Sequence, residues 1–322
     1  MDRLSPAVLD AFNLSSKGIK KEKGHYLCHS TSGLVKVHIS IHTPEAIRLQ
    51  HSAKEYLADL FPHTDRFRLT RDLQPYIMIG REIYVASTYP IPQRETNLEN
   101  EADVLGTVSA LAKLHVASES MPLDLPISPP LTEIYNRKLI ELASASKQAR
   151  RGSRMSDFDV AFIKHVPRAN QIIKEALDCL EKTNYLKLYN QAINKGSLCH
   201  NVLKEENLPV VSNTTNIVNF SNITTDLQLN DLSALIRRYA QRGNKSISAS
   251  HLIECYNKIC PVPSGAKDII YAQLVFPWSF TKLASQYYSK KRSWTPNGLI
   301  NSMENVLAEW DGYEEYVRDI IY

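Results

Sequence analysis

The sequence predicts an α+β protein of two lobes, a small antiparallel-sheet N-lobe over residues 1–92 and a larger helical C-lobe over residues 93–322. Three observations predict it. Apolar and polar residues alternate at 25–40 and again at 75–86, as paired strands require. From Glu99 onward the apolar spacing becomes helical. Between the two regimes lies Tyr89-Pro90-Ile91-Pro92-Gln93, whose two prolines mark a linker, with a hinge expected at about 86–92.

Each element follows from its residues. His25 to Ser40 reads as a hairpin turning at Ser30-Thr31-Ser32-Gly33. Pro44 opens a helix expected to run through Leu60, because Ala46, Ile47, Leu49, Ala53, Leu57 and Leu60 fall at helical spacing. Pro75–Ile79 and Glu82–Ala86 form a second strand pair around Gly80-Arg81. In the C-lobe, Val104, Leu105, Val108, Leu111, Ala112 and His115 make one apolar stripe, so His115 is read as a core histidine. Helices are expected over 133–148 and about 156–194. A hairpin is expected from Asn207–Val211 and Asn216–Phe220 across Ser212-Asn213-Thr214-Thr215, and helices from Asp231 to the end.

Composition narrows the function classes. Apolar residues make up 43% and charged residues 22%, which excludes a disordered chain. The net charge of +4 is small, and the clusters Lys20, Lys21, Lys23 and Lys290, Lys291, Arg292 read as solvated surface, so nucleic acid is not an expected partner. Cys28, Cys179, Cys199, Cys255 and Cys260 show no metal-ligand spacing and are expected as reduced thiols. No apolar run approaches a membrane span and no export signal opens the chain, so a soluble cytoplasmic protein without membrane contact is expected.

The informative segment is 197–239. Kinase catalytic loops read H-x-D-x-x-x-x-N, followed by a strand pair and a second aspartate. The first aspartate accepts the nucleophile's proton, while the asparagine and second aspartate hold magnesium. Here His200 and Asn207 stand seven apart as the pattern demands, but the base position is Val202 and the metal-ligand position is Asn219. Valine carries no acceptor, and a neutral amide is a poor substitute for a carboxylate on a hard cation. Asn230-Asp231-Leu232-Ser233-Ala234-Leu235 looks like the D-L-A-x-L helix start of this kinase class, where Asp231 would be structural.

These residues carry a resemblance. The chain resembles the CotS family of spore coat proteins, a branch of the aminoglycoside phosphotransferase and choline-kinase-like group with a protein-kinase-like fold. The stretches concerned are Ala53-Lys54-Glu55-Tyr56-Leu57 with Gln74-Pro75-Tyr76 and Ile83-Tyr84-Val85-Ala86; the 197–239 segment; and Phe276-Pro277-Trp278-Ser279-Phe280 with Gln286 to Trp294. The resemblance implies a nucleotide cleft near Lys36, His38, Glu55, Thr88 and Tyr89. His38 aligns with the family's phosphate-binding lysine, and Lys36 shares its strand face. Glu55 is the first candidate for the helix glutamate and Glu45 the second. No G-x-G-x-x-G occurs, and Ser30 to Gly33 supplies one glycine.

The expectation is therefore a catalytically inactive kinase-like protein with a structural or interaction role in spore coat assembly. It would be made in the mother-cell cytoplasm, reside in the spore coat and have other coat proteins as partners. No catalytic residue, metal or cofactor is expected, with Asn207 and Asn219 vestigial as metal ligands. The alternatives are a small-molecule kinase using ATP and magnesium, in which Glu205, Glu206 or Asp226 replaces a lost acid, and a nucleotide-binding switch without catalysis.

Overall fold

The computed structural model describes residues 4–22, 24–30, 33–88, 94–151, 155–242, 245–289, 296–317 and 320. They divide into two compact units, Met1–Pro126 with Lys195–Asp226, and Ile127–Asn194 with Leu227–Tyr322. The first unit thus joins the small sheet to the segment that carries His200, Asn207 and Asn219. Tyr89 and the rest of the expected hinge, 89–92, lie outside the described residues, as do Lys23, Lys290 to Arg292 and Trp294.

In the first unit α1 (Pro6–Ala11) precedes β1 (Lys20–Glu22), β2 (His25–Ser30) and β3 (Gly33–Ser40). After β3 come α2 (Pro44–Tyr56), β4 (Ile77–Ile79) and β5 (Glu82–Thr88). The five strands form one sheet in the order β1-β2-β3-β5-β4, every pair antiparallel. Alternation along β3 sorts its two faces. Val35 and Val37 are buried with Cys28, Ala86, the α1 residues Val8 and Leu9, and Phe12 just after that helix in one apolar cluster. Full burial of a side chain such as Phe12 stabilises by about 2–3 kcal/mol. The opposite face carries Lys36 and His38, paired across the strands with Ser87 and Val85.

β6 (Arg94–Glu95) and α3 (Glu101–Ala117) follow, then β7 (Leu198–Cys199), β8 (Pro209–Val211), β9 (Thr214–Thr215) and β10 (Thr224–Thr225). Asn100 caps α3 by accepting from the Asp103 N–H at 3.2 Å. His115 is buried in α3, as expected for a core histidine.

The second unit is helical: α4 (Leu131–Ala149), α5 (Asp157–Lys182), α6 (Tyr185–Lys195), α7 (Leu229–Gln241), α8 (Ala249–Asn257), α9 (Ala266–Val275), α10 (Trp278–Tyr288) and α11 (Pro296–Val317). Ser156 and Asp159 form a capping box at the start of α5. Aromatic packing organises the unit, with Tyr135 stacked on Phe276 at 4.0 Å and Phe162 on Phe280 at 5.6 Å between ring centroids.

Several expected boundaries are corrected. Helix α2 ends at Tyr56, and residues 57–60 form turns that leave Leu60 exposed. The helix expected over 156–194 is two helices, because Asn184 adopts φ 55° and α6 restarts at Tyr185. In the second hairpin β8 pairs with β9, while residues 216–220 are irregular and Asn219 sits at φ 68°. The short elements α1, β1, β6, β7 and β10 were not expected, because none is long enough to show a full period.

Candidate functional site

A cleft of about 1240 Å³, its open mouth included, lies on the polar face of the five-stranded sheet. Every residue lining it belongs to the first unit. The sheet contributes Lys36, His38, Val85 and Ser87; α2 contributes Ile47, Gln50 and Lys54; the loop after α2 contributes Asp65 and Phe67. The catalytic-loop segment adds Glu206, Asn207, Asn219 and Phe220.

The floor is an ion pair absent from the expectations. Lys54 Nζ donates to Asp65 Oδ2 at 2.7 Å, and both residues are buried. The ammonium lies 4.5 Å from the Phe67 ring centroid and 5.7 Å from that of Phe220. Asp65 Oδ1 accepts the Asn219 N–H at 3.2 Å, and the Ile217 N–H donates to the His63 carbonyl at 2.9 Å. Residues 63–65 and 217–219 are thereby stitched together. Burial alone would raise the Asp65 carboxyl; Lys54 and the Asn219 amide outweigh it and hold the group below its ordinary value. Active kinases pair a strand lysine with a helix glutamate. Here α2 presents the ammonium, and the carboxylate comes from the loop that follows.

His38 behaves as a neutral group. Burial first, then the neighbouring Lys36 and Lys54, depress its pKa to about 4, against a smaller opposing effect of Asp65. Its Nδ1 is buried with no hydrogen-bond partner.

The degenerate loop is ordered by its amides. Asn207 is buried; its Nδ2 donates to the Val202 carbonyl at 3.0 Å, and its Oδ1 accepts from Asn219 Nδ2 at 3.2 Å. His200 is fully buried, with Nε2 3.1 Å from the Val218 carbonyl and its ring edge-on to Phe220. Among the described residues no group of three or more His, Cys, Asp or Glu is placed to hold a metal ion.

The structure therefore gathers Lys36, His38, Asn207 and Asn219 in one cleft and separates others from it. Val202 is half-buried and outside the lining. Glu55 points away, exposed, 3.9 Å from His51 Nδ1. Glu45 is exposed in the first turn of α2 and accepts from Arg48 at 3.1 Å. Thr88 is exposed, and its hydroxyl bonds Arg66 while the neighbouring Ser87 lines the cleft. Of the three proposed replacement acids, Glu206 lines the cleft as an exposed side chain 3.9 Å from Lys204, whereas Glu205 and the buried Asp226 do not line it. Asp231 is buried in the first turn of α7.

Lys54 and Asp65 were missed, although one signal was legible. Ile47, Gln50 and Lys54 fall at i, i+3 and i+7, so the lysine sits on the buried stripe and demands a counter-charge.

An antiparallel sheet whose polar face looks onto the segment carrying Asn207 and Asn219 has the kinase-like fold of the aminoglycoside phosphotransferase type. An aminoglycoside phosphotransferase from Alicyclobacillus acidocaldarius superposes with a TM-score of 0.83 at 17% identity, over 100% of this chain and 96% of that one. Amicoumacin kinase superposes with 0.65 at 11% identity, over 97% and 92%. The chain belongs to the family described as "Spore coat putative kinase YutH", whose model matches residues 15–320. It is also similar to spore coat protein S of Bacillus subtilis strain 168, at 22% identity over 189 residues, 58% of this chain. That match spans about half, 53%, of the length of the relative. Among the described residues no helix is long and apolar enough to cross a membrane.

Proposed function

We propose that this chain is a kinase-fold protein that does not transfer phosphate and that it serves as a structural or interaction component of the spore coat, with other coat proteins as partners. The observation that carries the reading is the state of the cleft's carboxylates. Among the described residues Asp65 and Glu206 are the acids lining it, and Asp65 is bound on both oxygens by Lys54 and the Asn219 amide. With each oxygen already accepting one hydrogen bond and its charge neutralised by the buried ammonium, this carboxylate is a weak ligand for a second cation. Base and metal-ligand positions hold Val202 and Asn219, and loss of either charge in a kinase costs orders of magnitude in rate. Spore coat residence, with synthesis on the cytoplasmic side of the mother cell, rests on the family.

Transfer from ATP to a panel of hydroxyl and amine acceptors, with magnesium present, tests this reading. No acceptor-dependent product is expected. Product formation that disappears in Glu206→Gln would identify a relocated acid and establish the working-kinase alternative.

One observation favours a second reading, a nucleotide-binding switch. Lys36 and Lys54 line the cleft with three histidines, His25, His38 and His42, so its walls are richer in cationic and donor groups than in acids. Such walls suit phosphate oxygens. A ligand specific to the native state raises the melting temperature by mass action. A shift with millimolar ATP that needs no magnesium supports the switch, and no shift removes it.

A further inference from the structure

The second unit contains a pocket of about 770 Å³, open mouth included, that is separate from the cleft. Its walls are aromatic: Phe276, Trp278 and Phe280 from the end of α9 and the start of α10, and Trp310 and Tyr313 from α11. Ala240 of α7 is a small side chain in the wall, which leaves the space unfilled.

The charge in this pocket is one-sided. Arg237 and Lys245 line it, and no Asp or Glu does among the described residues. Arg237 donates to the Gln273 carbonyl at 3.4 Å and lies 5.4 Å from the Trp278 ring centroid, with no described carboxylate in ion-pair contact. Desolvation lowers its pKa from the ordinary arginine value. Arg237 is half-buried, and a charge that loses part of its hydration is stabilised by a partner of opposite charge. Two further donors in the wall are unspent: Trp310 Nε1 and the Tyr313 hydroxyl are buried without a hydrogen-bond partner. Trp278 Nε1, by contrast, is satisfied by the Gln273 carbonyl at 3.1 Å.

A guanidinium with no counter-ion among the described residues, two unspent donors and an aromatic wall around one opening make a site complementary to an anion with an apolar body. We propose that this pocket binds a small organic carboxylate, with the carboxylate on the Arg237 fork and the aryl or alkyl body against Trp278, Phe280 and Trp310. Arginine matches a carboxylate through two parallel hydrogen bonds, and the low surrounding dielectric strengthens them. The site does not involve the sheet cleft, so it operates whether or not that cleft binds nucleotide.

The test is titration of the full chain with sodium 4-phenylbutyrate and sodium decanoate, against 4-phenylbutyramide and inorganic phosphate, followed by tryptophan fluorescence and calorimetry. Saturable binding of the carboxylates is expected, at least about tenfold tighter than the neutral amide, with phosphate weaker than either carboxylate. Arg237→Gln is expected to remove that preference, and Trp310→Phe to weaken binding severalfold while the ring still fills its place. The carboxylate-against-amide comparison uses the wild-type chain and stands even where Arg237→Gln does not fold. Equal binding of amide and carboxylate, no saturation by about 5 mM, or unchanged preference in a folded Arg237→Gln overturns the proposal. So does phosphate as the tightest ligand, which would make the site a simple anion hole.

Discussion

Lys54 Nζ meets Asp65 Oδ2 at 2.7 Å beneath the cleft, between the rings of Phe67 and Phe220. The pair fastens α2 to the loop at 63–65, which in turn holds Asn219 through its backbone amide. It is a structural clamp beneath the cleft.

Breaking this pair from one side leaves a buried charge. Lys54→Met is expected to destabilise by about 3–5 kcal/mol, read by urea denaturation at pH 7. Adding Asp65→Leu to Lys54→Met is expected to recover most of that loss, since replacing both partners removes the orphaned charge. A double variant no more stable than Lys54→Met alone would show that the pair is not coupled.

Asp65 also sets an acid limit. Its folded pKa is depressed, so its contribution is complete above the ordinary aspartate value, about 3.9, and is lost as pH falls through the lower folded value. In wild type the loss appears below about pH 4, and it is expected to be absent from the Lys54→Met, Asp65→Leu variant.

His38 acts in a different window. Its folded pKa, about 4, lies below the ordinary 6.5, so the unfolded chain binds the extra proton first and stability declines as pH falls from 6.5 toward 4. The decline attributable to this group is roughly 3 kcal/mol at most. His38→Gln, compared with wild type at pH 7 and pH 4.5, is expected to flatten it. An identical pH profile in both proteins would contradict the burial of a neutral imidazole.

Asn219→Asp places a carboxylate where the sequence pattern expects a metal ligand, beside Asp65 and Asn207. Like charges at this distance are expected to lower stability by about 1 kcal/mol or more without divalent ions. Magnesium is expected to recover part of the melting temperature in this variant and not in wild type. Calorimetric scans with and without 10 mM magnesium (roughly a saturating amount) check it, and a variant indifferent to magnesium contradicts the placement of residue 219.

Much of the fold was legible because it is local. Alternation placed Val35 and Val37 opposite Lys36 and His38, and the structure puts the first pair in the core and the second in the cleft. Asn207 and Asn219 bond each other, and His200 packs edge-on against Phe220. The break at Asn184 was hidden because apolar periodicity runs through it, and its mark is a single left-handed residue. Asn184→Gly is accordingly expected to be neutral or slightly stabilising, and Asn184→Val to cost about 1–2 kcal/mol. The Lys54–Asp65 pair was hidden for another reason: its partners lie in different elements with no shared periodicity, and Glu55, the acid next to Lys54 in sequence, faces solvent.

The central claim is that the carboxylates of this cleft are too few and too engaged to support phosphoryl transfer. Phosphorus NMR of ATP and magnesium with an equimolar amount of the chain tests it most directly, because even one turnover is visible. With candidate acceptors present, the account predicts a nucleotide spectrum indistinguishable from the protein-free control. Appearance of ADP together with a new phosphoryl ester resonance, both abolished by Glu206→Gln, would contradict it.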